Sequence, residues 1–157
     1  MKKEEGFTII EALVTLVLLS LALVPMFYFT AVATTTSFYI RDDMISAHLA
    51  QEGLEVVRAM RDANWFNSRP FDSGLGDGVY RVEYNSNALI ALGTNPSLSI
   101  ANGVYSYQAG AVTPFQRTIT ITKINAGEIR VVAAVSRPTK GGDIKTISAE
   151  SHLFDWK

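Results

Sequence analysis

Charged side chains stop at Glu11 and do not return until Arg41. Between them, Ala12 to Ile40 is uncharged and dominated by Leu, Ala, Val and Phe. A helix crosses the hydrocarbon layer with about 20 apolar residues, so this run predicts a membrane-spanning helix. Beyond it the period changes. Ile40, Met44, Ala47, Ala50, Leu54, Val57 and Met60 recur at threes and fours, while Arg41, Asp42, Asp43, Gln51, Glu52, Glu55 and Arg58 fill the other face. That spacing predicts an amphipathic helix with one buried stripe. No strong breaker lies between Pro25 and Gly53, so a single helix is expected from about Thr8 to Ala63. At 1.5 Å per residue it would be roughly 80 Å long.

The rest of the chain reads as β-structure and loops. Tyr80, Val82 and Tyr84 alternate with Arg81 and Glu83, which predicts one short strand at Val79–Tyr84. Phe115, Arg117, Ile119 and Ile121 alternate with Gln116, Thr118, Thr120 and Thr122; Ile129, Val131, Ala133 and Val135 form a second alternating set. With turns at Asn125–Gly127 and Thr139–Asp143 and a last strand from Ile144 to Leu153, this is an antiparallel meander with one apolar face. The amphipathic helix would cover that face. The expected fold class is therefore α+β, a long helix on a small antiparallel sheet.

Composition narrows the chemistry. The 157 residues carry a formal charge of −1, with 48% hydrophobic and 18% charged residues, which argues against disorder and against a nucleic-acid binder built on basic excess. There is no cysteine, so disulfides and thiolate chemistry are absent, and two histidines, His48 and His152, argue against a multi-histidine metal centre. No cofactor, metal or catalytic residue is expected, and an enzyme is the weakest reading. Glu52, Glu55, Arg58 and Asp62 look like an acid–base cluster but their helical spacing spreads them over a solvated face. Gly74–Gly78 lacks the Gly-Lys-Ser/Thr ending of a phosphate loop. Asp72 and Asp77 lack the calcium-loop pattern, so turn chemistry is the better reading.

Glu11 is harder to explain. A carboxylate near the centre of a membrane helix costs roughly 2.5–3.5 kcal/mol, less near the interface. A plain signal anchor has no use for it. A cleavable secretory signal fits Ala31-Val32-Ala33, with a mature start at Thr34, but its apolar core would be about twice the usual 7–15 residues. An ionisable group at this depth needs a partner. Cutting between Gly6 and Phe7 would create one, the α-amine of Phe7.

Gly6-Phe7-Thr8-Ile9-Ile10-Glu11-Ala12-Leu13-Val14 resembles the processing site of type IV pilins and pseudopilins: a short basic leader, Gly, Phe, then Glu fifth in the mature chain. The resemblance implies cleavage after Gly6 by prepilin peptidase, N-methylation of Phe7, and a retained anchor helix that becomes filament core. It also implies that Glu11 docks onto the Phe7 amine of a neighbouring subunit. Pro25 would kink or loosen the helix, as in related subunits, or be a harmless membrane proline. Glu4 and Glu5 make this leader less basic than usual, but orientation follows Lys2 and Lys3, which keep the N-terminus cytoplasmic. Gln51–Arg58 and Arg61–Trp65 are similar to the stretch after the spine in many minor pilins, with a Glu-Gly pair and an Arg-Asp…Asn-Trp ending. Trp65 and Phe66 would be apolar plugs at the helix end. Without a C-terminal disulfide, the last segment must be held by packing through Leu153, Phe154 or Trp156. The nearest resemblance is to a PilV-like minor pilin or an I-type pseudopilin.

The expected organisation is a leader at 1–6, a membrane and filament-core helix at 7–40, and a head at 41–157. The head comprises a helix at 41–63, a loop region at 64–114 and a β-meander at 115–153. The expected function is that of a filament subunit in the bacterial cytoplasmic membrane, later extracytoplasmic. Its partners would be other pilin subunits, prepilin peptidase and an inner-membrane platform with its ATPase. The alternative is an anchored binding module, for adhesion or DNA uptake, that uses the loops at Ser68–Gly103.

Overall fold

A computed structural model describes Gly6 and residues 8–156. One long helix, α1 (Ile9–Phe66), precedes eight strands: β1 (Gly78–Arg81), β2 (Ile90–Ala91), β3 (Ser99–Ala101), β4 (Val104–Ser106), β5 (Ala111–Val112), β6 (Gln116–Asn125), β7 (Glu128–Pro138) and β8 (Ile144–Phe154). The chain divides into two compact units, Met1–Asp42 and Asp43–Lys157.

In the first unit the described residues are almost all helix, and Ile9, Leu16, Leu21, Val24 and Phe27 are exposed. An apolar helix with no cover of its own must take it from lipid or from other chains. Six of its hydroxyls bond within the helix itself. Thr15, Ser20, Thr30, Thr34, Thr35 and Ser37 each donate to the carbonyl four residues back, at 2.7–3.0 Å. Polar groups that bond within their own helix can sit in hydrocarbon.

In the second unit the C-terminal part of α1 packs on an antiparallel five-stranded sheet of order β2-β1-β6-β7-β8. The inward positions of β6 and β7 are those the alternation predicts: Arg117, Ile119 and Ile121, then Ile129, Val131, Ala133 and Val135, all buried. Facing them are Leu49, Ala50, Leu54, Val57 and Met60 of α1. β8 contributes Leu153.

The buried stripe of α1 is rotated from the expected one. Its members are Ser46, Leu49, Ala50, Gly53, Leu54, Val56, Val57, Met60, Arg61 and Asn64, whereas Ile40 and Met44 are exposed and Ala47 is half-buried. At about 100° per residue, Ser46, Gly53 and Asn64 mark the centre of the stripe and Met44 falls nearly opposite. Small and polar residues occupy the line of closest approach, so hydrophobicity alone points to one flank of it.

The loop-rich region is also more ordered than the one strand expected there. It supplies β1 and β2 to the main sheet and folds β3, β4 and β5 into a separate antiparallel sheet of order β4-β3-β5. Strands of two or three residues are too short to show a period. β1 ends at Arg81, three residues before the expected Tyr84, which is exposed, while Val82 is fully buried.

Candidate functional site

The N-terminal site starts with how α1 begins. Thr8 precedes the helix; its Oγ1 accepts a hydrogen bond from the Glu11 amide at 3.3 Å, and its carbonyl accepts from the Ala12 amide at 3.2 Å. Thr8 is therefore the N-cap and Glu11 the third helical residue, the Thr-x-x-Glu spacing of a capping box. The helix dipole favours a carboxylate in the first turn. This lowers the cost of Glu11, and its signal in the sequence is the spacing Thr8-Ile9-Ile10-Glu11. The Glu11 side chain is exposed and has no partner among the described residues. Gly6 is exposed, and a side chain there would meet nothing within 4 Å. Phe7, the other half of the expected cut and docking pair, lies outside the described residues, as do Lys2 and Lys3. Pro25 lies inside α1, which continues through it; having no N–H, it cannot donate to the Leu21 carbonyl.

In the head, the Glu-Gly pair has two different jobs. Gly53 is buried, and a Cβ added there would lie 2.7 Å from Cδ1 of Ile119 and 3.3 Å from Cδ of Arg117. Glycine is what lets helix and sheet approach this closely. Glu52 is not simply part of a solvated face. Its carboxylate accepts from Nη1 of the fully buried Arg117 at 2.7 Å. The same guanidinium donates to the Leu49 carbonyl at 3.0 Å and to the Val82 carbonyl at 2.7 Å, so one buried cation joins α1, the end of β1 and β6.

The Arg-Asp…Asn-Trp ending builds the other end of the head. Arg61 is buried, gives Nε to Asp62 at 2.8 Å, and lies over the rings of Trp65 (4.3 Å) and Trp156 (5.0 Å). Trp156 thus holds the C-terminal tail to α1, with Leu153 buried beside the core. Phe66 is no plug: it is 90% exposed. Asn64 gives Nδ2 to the Phe71 and Ser73 carbonyls at 3.2 and 2.8 Å, clamping the following loop to the helix.

The remaining candidates have ordinary partners. Glu55 pairs with Arg58. Asp72 binds Lys123 Nζ at 2.5 Å and Asp77 accepts from the Lys123 amide, so neither carboxylate is held for a cation. The Gly76 and Asp77 carbonyls accept from the Tyr80 hydroxyl, which points carbonyls where a phosphate loop would present amides. On the exposed end of β7 and β8, His152 Nδ1 lies 2.6 Å from Glu128 and Nε2 lies 3.2 Å from Glu150, which Arg130 also binds. Glu128 first and Glu150 second raise the pKa of His152, and Arg130 is the main cause that lowers Glu150 to about 2.

Residues 1–27 match a model of the prokaryotic N-terminal methylation motif. Neither the curated proteins nor the solved structures gave a match to the chain. The match supports a type IV pilin-like substrate of prepilin peptidase, and the apolar start of α1 is long enough to cross a membrane. Together with the fold, one long N-terminal helix packed on antiparallel sheet, it supports placing this chain in the type IV pilin and pseudopilin family.

Proposed function

We propose that the protein is a structural subunit of a pilus or pseudopilus, closest in kind to a PilV-like minor pilin or an I-type pseudopilin. Lys2 and Lys3 hold the N-terminus on the cytoplasmic side, where prepilin peptidase cuts between Gly6 and Phe7 and the new amine is methylated. The head lies outside. An inner-membrane platform and its ATPase then draw the subunit into the filament, where its apolar helix packs among those of other subunits. Glu11 of one subunit neutralises the Phe7 amine of a neighbour and sets the axial register between them. Pro25 supplies a weakened point at which the helix adapts to its neighbours. The role is structural, with no catalysis.

The observation that carries this reading is an acid with no partner among the described residues, at the start of an apolar helix whose side chains are exposed. A lone carboxylate is strongly disfavoured between packed helices, and the Phe7 amine of a neighbouring subunit would neutralise it. The test is incorporation of Glu11→Gln and Glu11→Ala variants into filaments sheared from cells making the full set of partner subunits. Both variants should accumulate in the membrane and be cut normally, yet be missing from the filament fraction. Filament content equal to wild type for Glu11→Gln would refute the docking role.

A further inference from the structure

Where α1 ends, the chain reverses through Ser68, in the left-handed region at φ 56°, and the Arg69 amide bonds to the Asn64 carbonyl at 2.8 Å. The Asn64 clamp then fixes residues 71–73 beside the helix. Between this wall and the segment at 86–88 lies a cavity of about 460 Å³, within the roughly 300–1,000 Å³ that suits a small organic ligand. Met60 and Leu75, both buried, belong to its apolar lining, and Arg69, Ser73, Ser86 and Asn87 supply polar groups.

Those polar groups are largely unspent. The Arg69 guanidinium and the side chains of Ser73 and Asn87 have no partner among the described residues; Ser86 Oγ accepts from the Glu83 amide and keeps its proton to donate. Among the described residues no acidic side chain lines the cavity, and the nearby Asp72 is already bound to Lys123. Elsewhere in the head, Arg117 pairs with Glu52, Arg130 with Glu150 and Arg137 with Asp43, while Arg81 lies over the Tyr107 ring. An open guanidinium with a fixed fork of donors, set among hydroxyls and an amide, matches a carboxylate attached to a body rich in hydroxyl groups.

We propose that this cavity binds a carboxylate-bearing saccharide, with Arg69 holding the carboxylate and Asn87, Ser73 and Ser86 the ring hydroxyls. Nucleic acid fits less well, because among the described residues the lining has a single cation and no aromatic ring on which a base could stack. The proposal concerns the head alone and does not depend on filament assembly. Its wall is held in place before binding, which limits the ordering cost.

The test titrates the full chain in detergent micelles with trigalacturonate, with its carboxyl-reduced neutral counterpart, and with inorganic phosphate. Trigalacturonate should bind saturably and at least about tenfold more tightly than either of the others, a difference of about 1.4 kcal/mol. Arg69→Ala should remove that preference, Asn87→Ala should weaken binding several-fold, and Arg130→Ala, outside the cavity, should leave it unchanged. Arg69 is exposed, so its variant should melt like wild type, and a melting curve on each variant checks this. No saturable binding of trigalacturonate, equal binding of the neutral counterpart or of phosphate, or an Arg69→Ala variant that binds as wild type would each overturn the proposal.

Discussion

Glu52 on the central helix and Arg117 on strand β6 meet at 2.7 Å, and the arginine side of the pair is completely buried. Removing one partner of a buried pair leaves an uncompensated charge, at about 3–5 kcal/mol when both partners are enclosed. Here the Glu52 side chain is 35% exposed and Arg117 keeps two carbonyl acceptors, so the cost is smaller. Glu52→Ala should destabilise the head by about 1–3 kcal/mol in chemical denaturation. Arg117→Met made together with Glu52→Gln should cost less than Glu52→Ala alone, since no buried charge then remains. Equal stability of Glu52→Ala and wild type would contradict the assignment.

Gly53→Ala sets two effects against each other. Alanine gains up to about 1 kcal/mol in helix propensity, while overpacking a dense core costs about 1–3. The clash is with Cδ1 of Ile119, a fully buried side chain with little room to turn. Net destabilisation of about 1 kcal/mol is expected. Ile119→Val removes the clashing methyl, so it should cost less in the Gly53→Ala background than in wild type. Strict additivity of the two changes would show that the contact does not limit packing.

The tail is held by aromatic stacking. Trp156→Ala removes one face of the arrangement around Arg61 and should cost about 1 kcal/mol, read as a lower denaturation midpoint. Trp156→Phe should recover part of the loss. Trp65→Ala should be worse, because Trp65 is half-buried whereas Trp156 is 69% exposed.

The group around His152 makes stability depend on pH in two directions. Its pKa is raised above the ordinary 6.5, so its contribution is complete below 6.5 and is lost as pH rises through the raised value. Glu150 is lowered from 4.5 to about 2, so its contribution is complete above 4.5 and is lost as pH falls toward 2. The group therefore supports the fold best between 4.5 and 6.5. His152→Gln should flatten the decline in denaturation midpoint between about pH 6 and 9 while leaving the acid limb in place. An unchanged alkaline limb would remove His152 from the account.

Much of this architecture was readable as periods. Ile119, Ile121, Ile129, Val131, Ala133 and Val135 alternate cleanly, and each is buried. Arg117 stood in the same inward series, and a charge at an inward position already implied a buried partner. That the partner is Glu52 was not readable, since 65 residues separate them and only the folded sheet brings them together. The tilt of the helix stripe was hidden for a related reason: Ser46, Gly53 and Asn64 lie along its centre, and their selection is for closeness and hydrogen bonding. The cavity beside Arg69 depends on the clamp from Asn64, a contact between a side chain and loop carbonyls that no spacing rule reports. At the N-terminus the methylation motif was visible in the sequence, while the Thr8 cap lies in a second spacing of the same residues.

The most direct measurement is the N-terminal peptide mass of the mature protein isolated from native membranes. The account predicts a chain beginning at Phe7, carrying a free or methylated α-amine, with Glu11 intact four residues on. A chain that still begins at Met1, or one that begins at Thr34, would contradict it.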